Sequence, residues 1–190
     1  GAVHLQRDYL SFLDELQPRN RAWLATSFAG SHAASYLMGD TPYALLACGR
    51  TDGSAAAETL AALIAGNLEH PARELMWGSP GTLLAALWMH ERTAAARWAE
   101  LFRQTADKLE SQLLWSAPHG CAYWTQDLYG KCYSFLDGIH GFVATAAPLF
   151  AGVATAQSPG TPSCRVDLGW NSATPASVAN SAASTLESVR

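Results

Sequence analysis

The sequence predicts an all-α fold in which outer helices enclose an inner ring, and two observations lead to that class. First, a glycine-bounded turn occurs twice, as Gly78-Ser79-Pro80-Gly81 and Gly138-Ile139-His140-Gly141, each time at the head of an apolar, Ala-rich run. A looser copy, Gly39-Asp40-Thr41-Pro42, opens the run Tyr43 to Ala47. A turn repeated at the start of successive helices is a signature of stacked helix pairs. Second, amphipathic helices alternate with helices that are apolar nearly all round, and the latter kind is buried on most sides.

Taken in order, Leu5, Tyr9, Phe12, Leu13 and Leu16 line one face of a first helix, with Arg7, Asp8, Asp14 and Glu15 opposite. Pro18 is expected to end it, and a second helix to run from about Arg21 to Leu37. Leu60, Leu63, Ile64 and Leu68 form the stripe of a helix starting near Ser54, capped by Asp52 or Ser54 and closed by His70-Pro71. Thr82 to His90 is apolar nearly all round. The clearest surface helix spans Thr93 to Trp115, with Trp98, Leu101, Phe102, Thr105, Leu109 and Leu113 on one face and mainly charged residues on the other. His119 to Tyr133, rich in aromatics and glycine, reads as a loop or short β-hairpin. Phe142 to Phe150 is a second uniformly apolar run. At the turns, Ser79 is expected to cap a helix with Pro80 in its first position, and glycine supplies positive φ and close backbone approach. Asp40 and Asp137 read as caps or turn formers, and Trp77, Trp88 and Trp98 as packing residues.

The 190 residues suffice for one domain with a core, read as 1–151, and a low-complexity, disordered tail at 152–190. Residues 157–190 hold three of the nine prolines and one aromatic residue, too little apolar material to pack. The net charge of −4, without a basic stripe, argues against nucleic acid and anionic membranes as partners. No apolar stretch approaches membrane-spanning length, and the first residues lack a signal-peptide layout, so a cytoplasmic protein is expected. The four cysteines form no Cys-x-x-Cys pair and read as free thiols, with Cys48 buried and inert. His119, Cys121 and Cys132 match no standard zinc spacing.

Three segments together resemble the lanthionine synthetase C-like (LanC-like) family: Tyr36-Leu37-Met38-Gly39-Asp40-Thr41, Glu74-Leu75-Met76-Trp77-Gly78-Ser79-Pro80-Gly81 and Leu136-Asp137-Gly138-Ile139-His140-Gly141. The lead-in Trp124-Thr125-Gln126-Asp127-Leu128-Tyr129-Gly130 is similar as well, so the likeness covers roughly residues 20 to 150. Each motif alone is weak, and four in register are moderately specific. The resemblance implies an α/α toroid, a double-ring helical barrel with glycine-rich turns at the inner-helix starts. It also implies addition of a cysteine or glutathione thiol to dehydroalanine or dehydrobutyrine in a peptide, with zinc favouring the thiolate. Two acid/base positions carry over. His140 matches the histidine of the family's His-Gly turn, and Glu74 matches an acidic position ahead of the earlier glycine turn, where it would orient His140 or act as a second proton carrier. The helix dipole at such a turn is expected to favour neutral imidazole at His140.

The departures from the family pattern concern the metal. Met76 stands where a Trp-Cys-x-Gly-x-x-Gly motif would place a zinc-binding cysteine, and Ile139 where a Cys-His pair would. Ala144 replaces a glycine that often follows the His-Gly turn. The zinc ligands are thus not found in this chain, and the expectation is about half a barrel, lacking the zinc-bearing repeats and inclined to self-associate. Competing assignments stand beside this one. His140 reads equally as a structural histidine bonded to a backbone carbonyl, and Glu74 as a residue favourable to a helix dipole. Two other functions fit as well: a non-catalytic module binding a peptide or partner, and a carbohydrate-active α/α barrel. The last lacks a well-spaced carboxylate pair.

Overall fold

The computed structural model describes residues 12–27, 33–50 and 53–156. The expectations for residues 5–9, the Asp52 cap, Cys164 and the tail from 157 lie outside the described residues. The described chain is mostly helical, with two small antiparallel hairpins. Its helices are α1 (Leu13–Ser27), α2 (Thr41–Ala47), α3 (Ser54–Gly66), α4 (Ser79–Thr93), α5 (Ala96–Ser111) and α6 (Phe142–Ala156). The strands, all between α5 and α6, are β1 (Leu114–Ser116), β2 (Cys121–Tyr123), β3 (Gln126–Leu128) and β4 (Lys131–Tyr133). Among the described residues no helix is long and apolar enough to cross a membrane.

Helix α4 is the hub. It packs against α2, α3, α5 and α6, and nearly every side chain from Ser79 to His90 is buried, as its all-round apolar sequence predicts. The core comprises Leu60 and Ile64 of α3, Leu83, Leu87 and Met89 of α4, and Trp98, Phe102 and Leu109 of α5. Trp77 joins Leu24, Ala72 and Leu128 in a second cluster. Trp88 departs from its expected packing role: it lies on the outer side of α4, 63% exposed. Helix α6 is less enclosed than its sequence suggests. Ala144 and Thr145 are buried, while Val143 and Ala147 are exposed.

Several boundaries differ from the sequence expectation. Pro18 lies inside α1 rather than ending it, so the helix continues through the residues expected to open a second one. A single lost N–H donor near the first turns is tolerated here, because α1 is anchored by its side chains. Arg21 Nε donates to both Asp40 oxygens (3.0 and 2.8 Å), Gln17 to Asp40 (3.0 Å) and Asn20 to the Met38 carbonyl (2.7 Å). Residues 33–40 are turn rather than helix. Helix α3 ends at Gly66, before the expected His70-Pro71 stop. The surface helix begins at Ala96, because Ala94 adopts left-handed φ (53°) and closes α4. It ends before Trp115, which pairs with Ala122 across the first hairpin.

Turn chemistry departs as well. Gly53 and Gly78 occupy the helix-capping positions of α3 and α4, and Ser79, one residue in, leaves its hydroxyl buried without a hydrogen-bond partner. The repeated-turn glycines do not use positive φ; among described glycines that falls to Gly120 and Gly130 in the hairpins. What Gly81 and Gly141 supply is room. A Cβ on Gly81 would collide with the Leu75 carbonyl and Tyr36, and one on Gly141 with the backbone of Phe135 to Asp137. Gly138 faces open space.

Candidate acid–base site at the adjoining turns

The three related turns lie side by side. The Ser35 hydroxyl donates to the Met76 carbonyl (2.5 Å), linking the first turn to the second. The Leu75 N–H donates to the Ile139 carbonyl (3.0 Å), linking the second to the third. The helices that follow, α2, α4 and α6, therefore start at one end of the molecule, with α4 packed between the other two.

Glu74 and His140, 66 residues apart in sequence, meet where the second and third turns join: His140 Nδ1 lies 2.8 Å from Glu74 Oε2. The Glu74 side chain is fully buried, whereas that of His140 is 31% exposed. Isolated burial of a carboxylate is costly. Here the local chain supplies compensation: Glu74 Oε1 accepts the N–H groups of Trp77 (2.6 Å) and Gly78 (3.3 Å), and Oε2 that of Met76 (3.0 Å). Burial pushes the Glu74 carboxyl above its ordinary value, while these N–H groups and His140 pull the other way. A carboxylate already accepting three backbone bonds acts as an acceptor toward the ring too, which assigns the imidazole proton to Nδ1. In the neutral ring Nε2 then carries the lone pair. The ring's hydrogen-bond partner is the Glu74 carboxyl.

His140 is held from its other side by Asp137. Asp137 Oδ1 accepts the N–H groups of Ile139 (2.8 Å) and His140 (2.7 Å), and its carbonyl accepts those of Gly141 (3.2 Å) and Ala144 (3.3 Å). It is thus the turn former the sequence suggested, and these bonds hold its carboxyl below the ordinary value. Asp40, the matching residue of the first turn, makes no capping bond and pairs with Arg21 instead.

Around the pair, Trp77 Nε1 donates to the Tyr129 hydroxyl (3.2 Å). Tyr129 and Gly130, both at positive φ (53° and 75°), form the two-residue turn of the β3–β4 hairpin. Such turns match the right-handed twist of paired strands. Arg73 was absent from the sequence expectations. Its φ is 41°, a left-handed value costing a non-glycine residue on the order of 1–3 kcal/mol unless its surroundings enforce it. They do so here: the guanidinium donates to the Thr125 carbonyl (2.6 Å), the Thr125 hydroxyl (2.7 Å) and Asp127 (3.2 Å). Residue types carry no signal for this backbone state.

For zinc, the positions at which the family pattern places cysteine are occupied by Met76 and Ile139, which offer no thiolate. Among the described residues no group of three or more His, Cys, Asp or Glu side chains is arranged to hold a metal ion. Cys121 and Cys132 are exposed on separate hairpins, and Cys48 is half-buried at the end of α2, where burial pushes its thiol up. The donor set at this site does not fit zinc. Protein-family models, curated proteins and solved structures were compared with the chain, and none matches.

Proposed function

We propose that this chain is a LanC-like protein whose His140, oriented by Glu74, promotes addition of a cysteine or glutathione thiol to dehydroalanine or dehydrobutyrine in a peptide. The observation that carries this reading is the 2.8 Å contact between the two residues selected from the turn motifs. The side-by-side turns, with α2, α4 and α6 starting together, support an inner arc of the corresponding toroid. In the reaction, Nε2 of His140 takes the thiol proton while Glu74 balances the imidazolium through Nδ1–H. The sulfur lone pair forms a bond to the substrate Cβ, and the alkene electrons move onto Cα and its carbonyl as an enolate. Return of the proton from Nε2 to Cα completes a thioether with nothing else consumed. Glutathione and a dehydroalanine peptide, incubated with the purified chain with and without added zinc, should give the adduct mass faster than buffer. Equal rates in all arms overturn the reading. Met76 and Ile139 favour a second reading, a non-catalytic peptide-binding module, which predicts saturable peptide binding and no acceleration.

A further inference from the structure

We propose that Arg73 is the positioning residue of the Glu74–His140 pair, a role that rests on the acid–base reading above. Arg73 sits where three parts of the molecule converge. Its guanidinium, largely buried, makes three hydrogen bonds to Thr125 and Asp127 at the start of the second hairpin. Its carbonyl accepts the hydroxyl of buried Thr145 on α6 (2.7 Å). The Asp127 N–H donates to the Pro71 carbonyl (3.1 Å), so the hairpin grips this segment on both sides of Ala72. These contacts hold Arg73 at φ 41°. That backbone setting immediately precedes Glu74 and directs its carboxylate back over the N–H groups of residues 76 to 78, within reach of His140. A return of Arg73 to negative φ would reorient the peptide on which Glu74 is carried. The hairpin thereby sets the imidazole tautomer through the backbone that carries Glu74.

The test reads that tautomer directly. Imidazole nitrogen resonances of His140, assigned by its substitution, are recorded at about pH 8.5, above the ordinary histidine range. In the wild-type chain Nδ1 should be protonated and Nε2 unprotonated. In Arg73→Met, with the amide spectrum of a folded chain, Nε2 should shift toward the protonated position; Arg73→Lys, which keeps a donor, should shift less. Should Arg73→Met not fold, Thr125→Val, which removes one acceptor, should still shift the resonance in the same direction. A folded Arg73→Met, or failing that Thr125→Val, with the wild-type tautomer overturns the proposal. A wild-type chain with Nε2 protonated overturns it too. Thioether formation is scored separately: a wild-type chain with the Nδ1–H tautomer but no turnover contradicts the thiol-addition reading, and the variants still decide the role of Arg73.

Discussion

Glu74 distributes one carboxylate over three backbone donors and a ring nitrogen, so replacing it by glutamine has defined consequences. The amide oxygen can serve Trp77 and Gly78, but the NH2 group then faces the Met76 N–H and His140. The variant retains the ring bond only if Nδ1 becomes the acceptor and the proton moves to Nε2. Glu74→Gln should therefore lose about 1–3 kcal/mol near neutral pH, measured by urea unfolding, because one buried donor is left unpaired. The comparison also depends on pH. Since burial raises the folded carboxyl above its ordinary value, its contribution to stability is present at acid pH and is lost as pH rises through the folded value. The wild-type advantage over Glu74→Gln should shrink as pH rises from the ordinary carboxyl range, and a growing advantage would contradict the assignment of burial as the dominant influence. Both members of the pair were legible as residue types beside recognisable turns. That Glu74 could orient His140 follows from the resemblance, but the geometry of their contact was not legible, because it depends on the backbone at Arg73 and on packing between segments 66 residues apart.

At the scale of elements, the repeated glycines make unequal contributions that their spacing in sequence hides. Gly81 lies against the Leu75 carbonyl and Tyr36, where an added methyl group has no room, whereas Gly138 faces open space. Gly81→Ala should cost about 1–3 kcal/mol in urea unfolding through overpacking, and Gly138→Ala should stay within about 0.5 kcal/mol of wild type. Equal effects would contradict the close approach of the first two turns. The helices themselves were largely readable. Alternating stripes gave α3, α4, α5 and α6, since burial of one face or all faces leaves a pattern in the residues. Their ends were less readable, because Ala94 enters the left-handed region without glycine, and Trp115 is drawn into a strand by pairing with Ala122. Pro18 misled for a related reason: the polar contacts of α1 with residues 38–40 hold the helix through it.

For the whole molecule, the burial of α4 was legible, because its sequence has no polar face, and four helices pack against it while, from Ser79 to His90, Trp88 alone stands well exposed. It was not legible that the second hairpin reaches back over the turns, with Arg73 and Trp77 held by the 125–129 segment. Contacts of that range follow from the folded topology rather than from any local pattern. Central to thiol addition as proposed is a single unit formed by the second and third turns through Glu74 and His140. A double-mutant cycle on the rate of glutathione addition to a dehydroalanine peptide tests this most directly, using Glu74→Gln, His140→Gln and the double variant, with folding checked for each. His140→Gln should lower the rate by about 100-fold or more, and the double variant should be no slower than the slower single variant, as residues acting in one step are strongly non-additive. A wild-type rate equal to buffer, or single-variant losses that multiply in the double variant, would contradict it.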